Sequence, residues 1–315
     1  MGSDQRKIWK DGEFVPWSEA SVHVLSQSVQ RGTLAFDYMS IHETSDGPAI
    51  FRLRDHLKRL VKTCEITGLA LAFSEPELIE GCIKTTQNNP NSKYLKISAL
   101  IPSIEAELIP QNPTVSVYIA AYDVTEDIII PHAESGFKQL QKKEYASLKI
   151  ERHYGSRRED IIPPHAKVAA NYTSALLAKV KARKEGFDDV LLLNEQKLVT
   201  EASTSNIFVV NRQGEIITPP ANKVLLGITR DSIITLASEL QIPCHEKDLD
   251  ETDLLEATEV FLTATSTGAL PVTKIDGTTY GEGLPGPITH QLMELRNSIC
   301  RGENSRFSHW LHIVN

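Results

Sequence analysis

Hydrophobic positions along this chain recur in two rhythms, the helical three-to-four and the strand-like two, and segments of each kind interleave in both halves. Lys7 to Val15 set a KDGEF turn between apolar residues, the signal of a hairpin. Over residues 52–68, Leu53, Leu57, Leu60, Val61 and Cys64 fall on one stripe and Gly68 limits the run, so the spacing predicts an amphipathic helix. Tyr94 to Ile101 and Thr114 to Ala121 alternate or run apolar as strands do. YDVTEDIIIPHAESG, from Tyr122 to Gly136, breaks both rhythms with charges, a proline and a glycine. An interdomain linker is expected over 123–136, between a small N-terminal domain (1–122) and a larger C-terminal domain (137–315).

The second half opens with a strand from Leu148 to Arg152 and the polar, Pro-containing loop GSRREDIIPPHAK. A helix from about Val168 to Glu185 follows, ended by Gly186. Next come a strand at VLLLNE, a turn at NEQKLVTEA, a strand at NIFVVN and a turn around RQGE. Residues 228–240 and 287–300 read as helices, and Glu259 to Thr263 as a strand. Such interleaving gives an α/β or α+β class with mixed sheets.

Composition narrows the partners more than the fold. The 315 residues are 41% hydrophobic and 23% charged, ordinary for a soluble globular protein of two domains. The net charge of −8, with acidic and basic residues mixed and no long basic run, argues against nucleic acid or an anionic membrane as partner. Cys64, Cys82, Cys244 and Cys300 lie far apart without CxxC pairing, as free thiols in a reducing compartment do. The N-terminus lacks the apolar stretch of a signal peptide, and no run approaches the roughly 20 apolar residues that span a bilayer. The chain reads as cytoplasmic, where the sequon Asn171-Tyr172-Thr173 has no meaning.

Several residues suit chemistry at a small anionic ligand. Lys167, in HAKVAANYTSALLA, keeps the company of Ala and Val, where desolvation depresses a lysine pKa and frees the amine as a nucleophile. Taken alone, such a lysine is more commonly one that snorkels at a helix end. Glu201, in VTEASTSNIF, is a carboxylate among small residues that needs a partner, and a protonated pyridine nitrogen is one. Arg59, in FRLRDHLKRL, shares a helix face with Arg52 and His56 and can grip a phosphate by two hydrogen bonds, although such runs are more commonly solvated faces. In LLGITRD, Gly227 precedes a helix start at Ile228 where backbone amides and the Thr229 hydroxyl suit an anion. TATST (263–267) presents further donors. The glycines of GEGLPG match GxGxxG, but Pro285 and Pro287 crowd them and too few residues follow for a dinucleotide fold. The histidines show no HExxH or other metal-ligand spacing, so no catalytic metal is expected, and no GxSxG or Walker A pattern occurs.

With these segments in view, the chain resembles the class IV, fold type IV, pyridoxal 5'-phosphate (PLP) aminotransferases, most of all the branched-chain amino acid aminotransferases. FRLRDHLKRL, KVAANYTSALLAKVKARKEGFDDVLLL, TEASTSNIF, LLGITRD, FLTATSTGALPVTKIDG and GPIT carry the resemblance in a fixed order. It implies a small N-terminal α/β domain, a larger C-terminal α/β pseudo-barrel domain, and a homodimer or higher homo-oligomer. Lys167 would form the Schiff base with PLP and transfer protons. Tyr172 would bond the cofactor's ring oxygen, and Glu201 would pair with the pyridine nitrogen. Arg59, Gly227, Ile228, Thr229, Thr265 and Ser266 would hold the phosphate. Arg31, Phe36, Tyr38 and Lys96, with Thr265 and Ser266, would line the substrate side, taking an amino donor and a 2-oxo acid acceptor. Branched-chain enzymes usually carry Tyr at the position of Arg31, and Gly and Arg at those of Tyr38 and Ser40. The Arg31 segment resembles D-amino acid aminotransferases, and FDYMS is compatible with (R)-selective amine transaminases. Aminodeoxychorismate lyase, which shares the fold, is the more distant alternative.

Overall fold

In the computed structural model, which describes residues 3–130 and 144–315, the KDGEF segment forms the expected hairpin. Strand β1 (Lys7–Lys10) pairs with β2 (Glu13–Pro16) through Asp11 and Gly12, whose φ angles of 50° and 103° suit a tight, right-twisted turn. The chain divides into two units, one of Met1–Gln141, Ala166–Ala170 and Ile299–Asn315, the other of Lys142–His165 and Asn171–Ser298. Two segments beyond the expected linker thus belong to the first unit. Within the linker, Val124–Ile129 is a π-helix capped by the Asp123 side chain, and residues 131–136 lie outside the described residues.

The first unit is built on a seven-stranded antiparallel sheet. From one edge it runs from the C-terminal strand Leu311–Ile313 through β4 (Gly47–Phe51), β3 (Ala35–Thr44), β5 (Tyr94–Leu100), β6 (Ser116–Tyr122) and β1 to β2. A short helix, α1 (Gln27–Arg31), precedes β3. Helix α2 (Leu53–Thr67) ends at Gly68, whose φ of 71° lets its N–H turn back onto Cys64 and Glu65. Leu53, Leu57, Leu60 and Cys64 form its buried stripe. Helix α3 (Glu75–Asn88) starts from a Ser74–Glu77 capping box. Both helices pack on the sheet face that carries Met39, Ile41, Leu95, Ile97, Val117 and Ile119.

In the second unit, β7 (Ala146–Glu151), β8 (Asp189–Leu193), β9 (Val199–Ala202), β10 (Asn206–Val210), β13 (Glu259–Ala264) and β14 (Gly268–Ile275) close into a ring, because β9 pairs with β10 at Glu201–Asn206. β11 (Ile216–Thr218) and β12 (Cys244–Glu246) extend the sheet from β10, and β15 (Thr278–Thr279) pairs with β14. Strands β8, β9 and β10 are buried at every residue, and the apolar runs over 190–193 and 207–210 reflect that burial. Helix α4 (Thr173–Lys184) lays Ala175, Ala178 and Ala182 on Val190 and Leu192. Helices α5 (Ile228–Glu239), α6 (Glu251–Glu256) and α7 (Pro287–Cys300) follow, the last two residues of α7 being counted with the first unit.

Three expectations change in detail. The helix expected from Val168 begins at Thr173, after a 3-10 turn over Ala169–Tyr172. The stretch taken as a turn, NEQKLVTEA, contains β9, which is too short to show a period. Arg52 stands before α2 with φ 51° and turns to Asp55 and the Trp310 ring, off the face of His56 and Arg59. The GEGLPG glycines open no phosphate loop, for the first turn of α7 is occupied by the Glu259 carboxylate. That carboxylate accepts from Ile288 N at 3.0 Å and Thr289 N at 2.8 Å. Among the described residues no helix is long and apolar enough to cross a membrane, and no cluster of His, Cys, Asp and Glu could hold a metal ion.

Candidate active site

In the first unit, Lys167 is held by its backbone from two sides. Phe36 N–H on β3 donates to the Lys167 carbonyl at 3.1 Å, and Ala35 bridges to Val168. The Lys167 N–H donates to Thr63 Oγ1 on α2 at 3.2 Å. The lysine is therefore an extended residue clamped between a strand and a helix, and its nitrogen reaches over the Phe36 ring, 4.9 Å from the centroid. Lys96 Nζ on β5 lies 5.0 Å from the same centroid. Cation–ring attraction orients both amines toward one aromatic. Tyr38 stands opposite Lys96 across the strands and stacks on Tyr94 at 5.0 Å. Burial, followed by Tyr122 and Tyr94, pushes the Tyr38 phenol up, so it stays protonated. Strand alternation puts Phe36, Tyr38, Tyr94 and Lys96 on the face opposite the hydrophobic core. Arg31 is exposed at the end of α1, before Gly32 with φ 68°.

On the core side of the same strand, Asp37 is fully buried. Arg59 Nε and Nη2 donate to its two oxygens at 2.9 and 2.8 Å, and His56 Nδ1 lies 2.7 Å from Oδ1. An ionised carboxylate only accepts, so the proton is assigned to Nδ1. Burial raises the Asp37 pKa, but Arg59 and His56 outweigh it and hold the carboxyl well below the usual carboxylate range. His56, Arg59 and Thr63 follow at spacings of three and four, so one face of α2 meets both Asp37 and the Lys167 backbone.

Burial outweighs Asp37 at His56 and lowers its pKa from the ordinary 6.5. The unfolded chain takes up a proton below that pH while the folded chain does not. This contribution is therefore complete above 6.5 and is lost as pH falls, by at most about 1.4 kcal/mol per pH unit. His56→Gln lacks this term, so its stability deficit relative to the native protein should shrink between pH 7 and pH 5 in denaturant titrations. His312, also lowered by partial burial, contributes to both proteins and cancels in the difference. A deficit constant across the range would show that His56 titrates alike in the folded and unfolded chain, and a deficit that grows as pH falls would show that the fold favours the protonated ring.

The second unit fixes a carboxylate. Glu201 is 5% exposed, and its oxygens accept from Arg157 Nε at 2.7 Å and Leu225 N at 3.3 Å. Burial lowers the Arg157 pKa, but Glu201 and Tyr172 outweigh it and raise it, so the guanidinium stays charged. The Tyr172 ring lies 4.8 Å from that guanidinium. Glu201, Asn206 and Thr263 are directly opposite one another across β9, β10 and β13. Asn206 Nδ2 donates to Leu225 O at 2.9 Å, so Glu201 and Asn206 together pin the segment that enters α5. Gly227 caps that helix without a side-chain hydrogen bond, and a Cβ there would collide with the Asn206 amide. Thr229 is buried in the first turn, and Thr265 and Ser266 form the turn between β13 and β14.

Asp37, Thr63, Arg157 and Asn206 were not legible beforehand. Arg157 is one of two adjacent arginines in a loop, and nothing in the pattern selects it. Asp37 sits beside the conspicuous Phe36 and Tyr38, but only pairing to α2 shows its use.

Residues 34–275 match the model of the amino-transferase class IV family. The chain is 31% identical over 311 residues to the branched-chain-amino-acid aminotransferase of Salmonella typhimurium, covering 98% of this chain and 97% of that protein. It is similar to the branched-chain aminotransferase of Thermoproteus uzoniensis solved with norvaline, at 31% identity and a TM-score of 0.88 over 98% and 99% of the two chains. It is similar also to the branched-chain amino acid aminotransferase of Thermobaculum terrenum in its PLP form, at 26% identity and a TM-score of 0.88 over 99% of each. With the family pattern matched across both units, the chain belongs to the class IV aminotransferases.

Proposed function

We propose that the protein exchanges an amino group between an amino acid and a 2-oxo acid with PLP as cofactor, in two half-reactions of a ping-pong cycle, and that branched-chain amino acids are its donors. The observation that carries the reading is Lys167, clamped through Thr63 and Phe36 with its nitrogen directed over Phe36 beside a second cation, Lys96. The donor set fits the cofactor. A phosphate calls for a guanidinium, hydroxyls and helix amides, and Arg59, Thr229, Thr265, Ser266 and the Gly227–Ile228 entry to α5 offer them. A pyridine nitrogen calls for a carboxylate, and Glu201, already holding two donors, has lone pairs for a third. The Thr263 hydroxyl is buried with no hydrogen-bond partner among the described residues, as a group beside a polar ligand would be.

When bound, PLP supplies the electron sink that makes the substrate's α-proton labile. Lys167 Nζ would hold the cofactor and would carry the proton from the substrate α-carbon to the cofactor carbon. Glu201 would pair with the ring nitrogen, Arg157 would hold the Glu201 carboxylate in place, and Tyr172 would bond the ring oxygen. Lys96, on the sheet face with Phe36 and Tyr38, pairs with a substrate carboxylate. Branched-chain donors follow from the named relatives. The second reading, a D-amino acid or (R)-amine donor, draws on Tyr38 and Arg31 standing where branched-chain enzymes usually differ.

We further propose a homodimer, or a higher homo-oligomer. Val24, Leu25, Val29, Ile104, Leu108 and Ile109 are exposed aliphatics on two segments joined by the Ser26–Ile104 bridge, a patch that a second copy would cover. A cytoplasmic setting suits the four free cysteines.

The deciding experiment mixes holoenzyme with single donors and follows conversion of the bound cofactor to its amine form. L-Leu should react fastest among L-Leu, L-Glu, D-Ala, D-Glu and (R)-1-phenylethylamine. Faster conversion by a D-amino acid or the amine would replace the branched-chain reading. No conversion by any plain amino acid would point to the lyase.

A further inference from the structure

We propose that Asp37 is a positioning residue for the cofactor phosphate, acting through Arg59. The proposal rests on the reading of Arg59 as phosphate anchor. An arginine side chain has four torsions, and ordering them when an anion arrives weakens binding. Here the ordering is done beforehand. Asp37 accepts from Nε and Nη2 together, which fixes both the plane and the direction of the guanidinium. The carboxylate is itself immobile: it is fully buried on β3 and takes a third hydrogen bond from buried His56.

The clamp also sits at a particular level of the fold. Asp37 follows Phe36, whose amide holds the Lys167 carbonyl, and Arg59 lies one turn before Thr63, whose hydroxyl holds the Lys167 amide. Tying β3 to α2 at Asp37–Arg59 therefore sets the phosphate anchor and the lysine in one frame.

Charge and geometry oppose each other at this pair, which makes the proposal testable by sign. A carboxylate on a guanidinium cancels part of its attraction for an anion. If attraction alone mattered, neutralising Asp37 would tighten PLP. If orientation matters more, the same change loosens it.

The test uses holoenzymes of the native protein, Asp37→Asn, Asp37→Glu, Arg59→Lys, Arg59→Gln and the Asp37→Asn/Arg59→Gln double variant. Two readouts are taken: the rate of PLP release into a trapping buffer and the 31P resonance of the bound phosphate. Asp37→Asn should release PLP about tenfold faster and shift the 31P resonance, as expected when a charge-assisted contact is lost. Arg59→Lys, which keeps the charge and loses the two-point grip, should match it. Asp37→Glu should fall between. In the Arg59→Gln background, Asp37→Asn should change nothing further. Slower or unchanged release from Asp37→Asn overturns the proposal, as does an equal acceleration in the Arg59→Gln background, which would mark a purely structural ion pair. Native-like release from Arg59→Gln itself defeats the anchor reading, and the positioning role with it. Should Asp37→Asn fail to fold, Arg59→Lys and Asp37→Glu decide, and native release from both overturns the proposal.

Discussion

Lys167→Ala is expected to abolish turnover, by about 10⁴-fold or more, while leaving the fold and part of the PLP affinity in place. A single general acid–base group accounts for roughly 10²–10⁴ in rate, and this amine serves additionally as the covalent anchor. Its backbone bonds to Thr63 Oγ1 and from Phe36 N do not involve the side chain, so the extended segment should persist in the variant. Borohydride treatment of the native holoenzyme followed by peptide mapping should label Lys167. A label on Lys96, whose nitrogen lies over the same Phe36 ring, would reassign the chemistry to the neighbouring strand. A label on Lys179, which is paired with Asp189 at 2.7 Å, would remove the site from this segment altogether.

Glu201→Gln should slow the reaction by about 10²–10³-fold at saturating PLP, the usual loss when one preorganised electrostatic partner of the reacting system is removed. An amide does not hold the ring nitrogen protonated. The same substitution disturbs the fold, since Arg157 is buried and charged against Glu201. Breaking a buried pair from one side costs about 3–5 kcal/mol, less where the replacement still accepts a hydrogen bond as Gln does. Rates must therefore be expressed per PLP-loaded molecule, with melting curves run alongside. Near-native turnover with a lowered melting temperature would reduce Glu201 to the counter-ion of Arg157. Slow turnover that persists in well-folded, loaded protein supports its pairing with the cofactor.

Local pattern carried a large part of this protein. The β1–β2 hairpin, α2, β5, β6, β7, β8, β10, β13, α5 and α7 each follow from a short-range cause: a turn dipeptide, an apolar stripe with a terminal glycine, or an apolar run of strand length. Lys167, Glu201 and Arg59 stood out because their residue types conflict with their surroundings or recur at helical spacing. Tertiary structure decided the remainder. Lys167 reads as a helix start because Ala and Val follow it, yet β3 and α2 supply its backbone partners and draw it out as an extended residue. Strand β9 has four residues, below the length at which a period registers, and it is held by pairing with β8 and, at Glu201–Asn206, with β10, which closes the ring. Arg59 resembled any exposed basic residue until Asp37, twenty-two positions earlier, met it where α2 packs on β3. Arg157 became distinct from Arg158 only by burial against Glu201, while Arg158 faces Asp160 and Glu195 at the surface. Periodicity reports which face of an element is apolar. It carries no information on which buried charges will meet, because that depends on the register and closure of strands far apart in the chain.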